Sequence, residues 1–117
     1  MTNNDKIPEL TNGEFEKFTK EGFTFISFHA EWHMPSVMMG PIIEDLSEEF
    51  GDKIKFGKVE VEDNSELAEK FGVNTIPSFM LFRDGIILEQ VVGSLTQEEL
   101  GNILREYINQ GKQNGQA

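Results

Sequence analysis

His33 and Ser36 lie three residues apart in the run Trp32-His-Met-Pro-Ser36. At the start of a helix they share one face, and an imidazole beside a hydroxyl is the pairing of an activated serine nucleophile. The pattern stops there: no motif places an acid to orient the imidazole, and none marks an oxyanion hole. His29, Glu31 and His33 carry groups that suit zinc or copper, but their spacing fits no ligand motif. His29 reads better as a strand-end residue satisfied by a backbone partner. Trp32, Met34, Met38, Met39 and Ile76 suggest a different chemistry, an apolar docking surface, because methionine adapts to varied partners; Met38 or Met39 reads equally well as core. The chain has no cysteine, which removes disulfides, thiolate metal sites and all cysteine redox mechanisms together.

These residues need elements to position them. A short helix can start at Thr11-Asn12, with Phe15 and Phe18 on one face, and end by Gly22. Phe23-Thr-Phe-Ile-Ser-Phe28 is almost wholly apolar, aromatic or β-branched, the signature of a central strand buried on both faces. After Pro35, residues Val37, Met38, Ile42, Ile43, Leu46 and Phe50 fall at helical spacing. They predict one long amphipathic helix, kinked at Pro41 and closed by Gly51. Ile54 to Val61 alternates as a strand, and Ser65 to Gly72 reads as a short helix with a glycine stop. Asp84-Gly85, between Ser78–Arg83 and Ile86–Val92, is the firmest hairpin signal. Thr96-Gln-Glu-Glu99 forms a capping box, with Leu95 and Leu100 as a hydrophobic staple, ahead of a final helix whose apolar face runs to Ile108. Strand-helix units followed by a hairpin imply a mixed sheet covered on both faces, a three-layer α/β domain.

The 117 residues suit one domain. A formal charge of −11, from 21 acids spread along the chain against 10 Lys and Arg, argues against nucleic acid and anionic membranes as partners. No apolar run approaches the roughly 20 residues of a membrane span, and the first residues lack the character of a secretory signal. The cytoplasm is therefore the expected location, and monomer the default state.

Ala30-Glu-Trp-His-Met-Pro-Ser-Val-Met-Met-Gly-Pro41 resembles the active-site segment of the thioredoxin family, where Ala-Glu-Trp precedes Cys-x-Pro-Cys and a helix proline. His33 and Ser36 stand at the two cysteine positions. The resemblance continues through Lys58-Val-Glu-Val61, Phe71-Gly-Val-Asn-Thr-Ile-Pro77 and Phe82-Arg-Asp-Gly85 to Gly93, covering nearly all of residues 7 to 108. It implies the thioredoxin fold, a central mixed β-sheet with helices on both faces in a three-layer sandwich. One domain would span residues 1–110, with a disordered polar tail over 111–117.

The resemblance also implies roles. His33 occupies the place of the attacking cysteine and Ser36 that of the resolving one. Ser27 replaces the buried aspartate that assists proton transfer, His29 replaces a tryptophan, and Lys58 matches the lysine beside that aspartate. Trp32, Met34, Pro35, Thr75, Ile76, Pro77 and Gly93 match substrate-binding positions, with Ile76-Pro77 at the cis-proline loop. The family activity implied is protein-disulfide oxidoreduction in cytosolic redox homeostasis, and this chain is expected to be a redox-inactive variant of it. The alternative is a cysteine-free binding or chaperone-like module. Expected partners are cysteine-containing or extended protein segments beside Pro77, with a reductase for a cysteine-bearing parent; no cofactor or metal is called for.

Overall fold

The computed structural model describes residues 7–114, with side chains described through residue 110. The elements run α1 (Asn12–Thr19), β1 (Phe23–His29), α2 (Met34–Met38), α3 (Gly40–Phe50), β2 (Ile54–Glu60), α4 (Ser65–Lys70), β3 (Ser78–Arg83), β4 (Ile86–Val92) and α5 (Gln97–Asn114). The sheet order is β2-β1-β3-β4, with β1 and β2 parallel and the other pairs antiparallel.

Alternation along the two central strands sorts the core into two layers. Phe25, Phe79 and Leu81 join Ile43, Leu46, Phe50, Leu100 and Leu104, so α3 and α5 cover that face. Ile26, Phe28, Met80 and Phe82 join Phe15 and Leu67, so α1 and α4 cover the other. The three-layer thioredoxin fold expected from the sequence is the fold observed.

Local chemistry accounts for the connections. Asp84 (φ 52°) and Gly85 (φ 84°) both take the left-handed conformation that a tight hairpin needs. The Asp84 carboxylate also accepts the Gly22 N–H at 2.8 Å, tying this turn to the entry of β1. At α5, Glu99 N–H donates to Thr96 Oγ1 (3.0 Å) and Thr96 N–H to Glu99 Oε1 (2.9 Å), completing the capping box.

Two details differ from the sequence-based expectation, and one, the edge of β2, lies outside it. The single helix predicted after Pro35 is two, separated at Met39, because Pro41 has no N–H to offer the preceding turn; Met39 N–H reaches back to Ser36 O instead. The outer edge of β2 is covered by residues 8–10, where Lys58 N–H donates to Pro8 O (3.0 Å) and Leu10 N–H to Lys58 O (2.8 Å). Helix α5 continues through 111–114, part of the stretch expected as a tail, because each further turn only adds a backbone bond to an established helix. Residues 115–117 lie outside the described residues.

β4 is the free edge strand, and Ile86, Ile87 and Val92 on it are exposed. Its middle is clamped by Tyr107, whose hydroxyl donates to Glu89 Oε1 at 2.7 Å and lies 3.1 Å from Leu88 O. The hydrogen bond to Glu89, then burial, then the negative charges of Glu89 and Glu106 raise the phenol's pKa. A raised folded-state pKa contributes stability that is present below the free tyrosine value, about 10, and is lost as pH rises through the folded value. Tyr107 is the only tyrosine, so an ultraviolet phenolate titration should show one midpoint above that of free tyrosine, and Glu89→Gln should lower it.

Gly57 offers a test of packing. A Cβ there would meet Leu10 Cδ1 at 2.8 Å and Phe18 Cε2 at 3.0 Å, whereas one at Gly13 in α1 would meet nothing within 4 Å. In denaturant unfolding, Gly57→Ala should cost about 1–3 kcal/mol. Gly13→Ala should instead stabilise by about 0.5–1 kcal/mol.

Candidate functional site

β1 ends at His29, and the chain turns through Ala30–His33 before α2 begins at Met34. What fixes this turn is Glu60, which the parallel register places opposite His29. Glu60 is buried, and its carboxylate accepts three backbone donors: Glu31 N–H at 3.1 Å on Oε2, with Glu62 N–H at 2.9 Å and Asp63 N–H at 3.1 Å on Oε1. Bonds to an ionised acceptor are the strong ones, so one side chain joins the loop after β1 to the loop after β2. Sequence reasoning missed Glu60, whose one signal was a carboxylate between Val59 and Val61 in an otherwise buried strand end.

Ser36 is also buried, and its hydroxyl is fully engaged with backbone. Oγ accepts Ala30 N–H (3.2 Å) and lies within donating distance of His33 O (2.9 Å) and Ala30 O (3.1 Å). His33 caps α2 with Nδ1 facing Ser36 N–H at 3.3 Å. Serine and histidine are therefore adjacent in sequence and space, yet each spends its facing group on main chain. The nucleophile-base pairing suggested by their spacing is not formed.

Ser27, Ser36 and Lys58 come together along a cleft of about 360 Å³, with His29, Glu31 and Glu44 on its walls. Ser27 and Lys58 are direct cross-strand neighbours, and among the described residues neither side chain has a hydrogen-bond partner. His29 Nε2 pairs with Glu9 Oε2 at 3.1 Å, a carboxylate and not the backbone partner expected for it. The covered edge of β2 brings Glu9 there. Among the described residues no group of three or more His, Cys, Asp or Glu is placed to hold a metal ion.

Exposed apolar side chains form a rim at the sheet end that carries the cleft. Trp32 is 64% exposed, Met34 60% and Met38 65%, while Met39 is core. Trp32 is oriented by donation of its indole N–H to Glu62 Oε2 at 2.7 Å and by an edge contact with the His33 ring at 5.5 Å. Pro35 is exposed at the start of α2. The Ile76–Pro77 peptide is cis, Pro77 is buried, and Gly93 N–H donates to Pro77 O at 2.8 Å. Phe28 pairs with Ser78, so Pro77 lies at the same sheet end as the turn after β1. Thr75 is exposed and Ile76 half-buried, and their backbone groups make no hydrogen bond among the described residues.

The sequence matches the family profile described as Thioredoxin over residues 6–106. Similar proteins include a thioredoxin of Listeria monocytogenes, 34% identical over 102 residues, covering 87% of this chain and 99% of the relative. A thioredoxin of Bacillus subtilis is 35% identical over 102 residues, covering 87% and 98%. A solved chain from work titled "Structural basis of the thiol resolving mechanism in yeast mitochondrial 1-Cys peroxiredoxin via glutathione/thioredoxin systems" is similar with a TM-score of 0.79 and 29% identity, over 86% of this chain and 94% of that one.

Removing either anchor should loosen the turn. Ser36→Ala leaves Ala30 N–H without its acceptor inside the fold, and Glu60→Gln turns an amide donor toward backbone donors. Each should cost about 1–3 kcal/mol in denaturant unfolding. Glu60→Gln should also change the emission of Trp32, the only tryptophan, while the Ile87→Ala surface variant should not.

Proposed function

This chain belongs to the thioredoxin family, and on that premise we propose that it is a redox-inert binding domain. Its occupant is an extended polypeptide segment laid beside Pro77. The carrying observation is that the Ser36 hydroxyl is spent on the turn that it staples, while the rim of Trp32, Met34 and Met38 stays exposed. Thiol-disulfide exchange passes through a mixed disulfide, which needs a sulfur nucleophile, and the chain contains no sulfhydryl. The unpaired backbone at Thr75 and Ile76 can supply main-chain hydrogen bonds to an extended segment, and the rim can hold its apolar side chains. We read the domain as a cytoplasmic monomer. A reductase partner enters only for a cysteine-bearing form.

Two experiments test this reading. With dithiothreitol as reductant, the protein should not accelerate reduction of a disulfide-bonded test protein above dithiothreitol alone, and a rate that scales with protein concentration overturns redox inertness. A short serine-flanked peptide with a Val-Ile-Val centre should shift Trp32 emission saturably, and no shift at any soluble peptide concentration overturns the docking reading.

His33→Cys together with Ser36→Cys should form a disulfide and create measurable reductase activity. The two positions are one helical turn apart, and the helix start favours a thiolate at the first. Resolution should be slow, because Ser27 supplies no carboxylate to take a proton. Adding Ser27→Asp should speed turnover, general-base help being worth about 10²–10⁴-fold. A folded, disulfide-forming double variant that reduces nothing would leave binding as the sole reading.

A further inference from the structure

Among the described residues, most lysines and arginines gather at one end of the sheet. Lys55 near the start of β2 pairs with Thr24 and Arg83 at the end of β3 with Phe23, and Lys53 immediately precedes β2. Lys17 and Lys20 line a cleft with Gly85 of the hairpin turn, and Arg105 lines another with Lys53, which places them at that same end. One acid there, Glu49, is paired with Arg105 at 2.8 Å.

The end that carries the rim is different. Glu62 holds the Trp32 indole, and Asp63 follows it with its N–H on Glu60. On the other flank, Glu9, Glu31 and Glu44 line the cleft that Val37, itself 42% exposed, also lines. Among the described residues the one Lys or Arg on that cleft is Lys58, half-buried in the strand. An exposed apolar strip flanked by carboxylates, with Lys17, Lys20, Lys53, Lys55, Arg83 and Arg105 at the other end of the sheet, is complementary to one kind of polypeptide.

We infer that the segment taken by this surface is a basic one: apolar residues seated on Trp32, Met34, Val37 and Met38, with lysines or arginines reaching Glu62 and Asp63 on one flank and Glu31 and Glu44 on the other. The inference rests on the docking reading above and adds the partner's chemistry to it. The rim supplies the area removed from water. The carboxylates choose among segments of equal apolar content, because opposite charges at an interface rim steer encounter and like charges reject. The chain's overall charge of −11 acts in the same direction at longer range.

The test uses the full chain and three peptides that share a Val-Ile-Val centre and differ in flanks of lysine, serine or glutamate, with Trp32 emission as the readout. The lysine-flanked peptide should bind about tenfold or more tighter than the serine-flanked one at low salt, and the gap should narrow as salt rises. The glutamate-flanked peptide should bind weakest. Glu31→Gln with Glu44→Gln, at exposed residues whose side chains take no part in the hydrogen bonds that hold the turn, should weaken the lysine peptide about three- to tenfold and leave the serine peptide unchanged. Equal binding of all three peptides, or preference for glutamate, overturns the charge inference and leaves the docking reading standing. Binding by none overturns both.

Discussion

Burial of β1 on both faces is the constraint from which the architecture follows. Phe25 on one side and Ile26 with Phe28 on the other must each be removed from water, so helices have to cover the sheet twice. One neighbour of β1 is the parallel strand β2, and a parallel pair needs a crossover, which α2 and α3 supply. That crossover starts where β1 stops. The first turn of α2 and the loop before it therefore stand at the carboxyl end of the central strand, where open α/β sheets build their sites.

Within that frame the turn is held by hydrogen bonds that do not depend on sulfur. Ser36 closes Ala30–Ser36 through its hydroxyl, and Glu60 collects three backbone donors from two loops. The turn at the carboxyl end of β1 is thus held in place in a chain that has no cysteine. The two apolar layers that stabilise the scaffold include neither Ser36 nor Glu60, so the fold and the turn at its sheet end are separate features.

Much of this was legible in the sequence, and what was legible is local. The nearly unbroken apolar run of β1, the Asp84-Gly85 turn and the Thr96–Glu99 capping box each follow from residues within a few positions of one another. The features that escaped depend on contacts distant along the chain. Glu60 meets Glu31 from 29 positions away, and His29 meets Glu9 from 20, so neither partner is marked by spacing. Residues 8–10, with Pro8 among them, are too short to show a strand period. Ser36 escaped for another reason: a serine near a histidine has one sequence signature, whether its proton serves a base or a backbone carbonyl.

The free edge of β4 carries a consequence for how copies of this protein behave in a crowded solution. Ile86, Ile87 and Val92 lie exposed along a strand whose outer backbone groups have no neighbour in the sheet, which is a template for a strand from another molecule. Neither proline nor lysine guards that edge; Glu89 and mutual repulsion between strongly anionic molecules do. Colloidal behaviour is thereby tied to ionisation rather than to shape. Acidification to the isoelectric point, about pH 4.5, removes the repulsion and leaves the edge as the place where molecules first adhere.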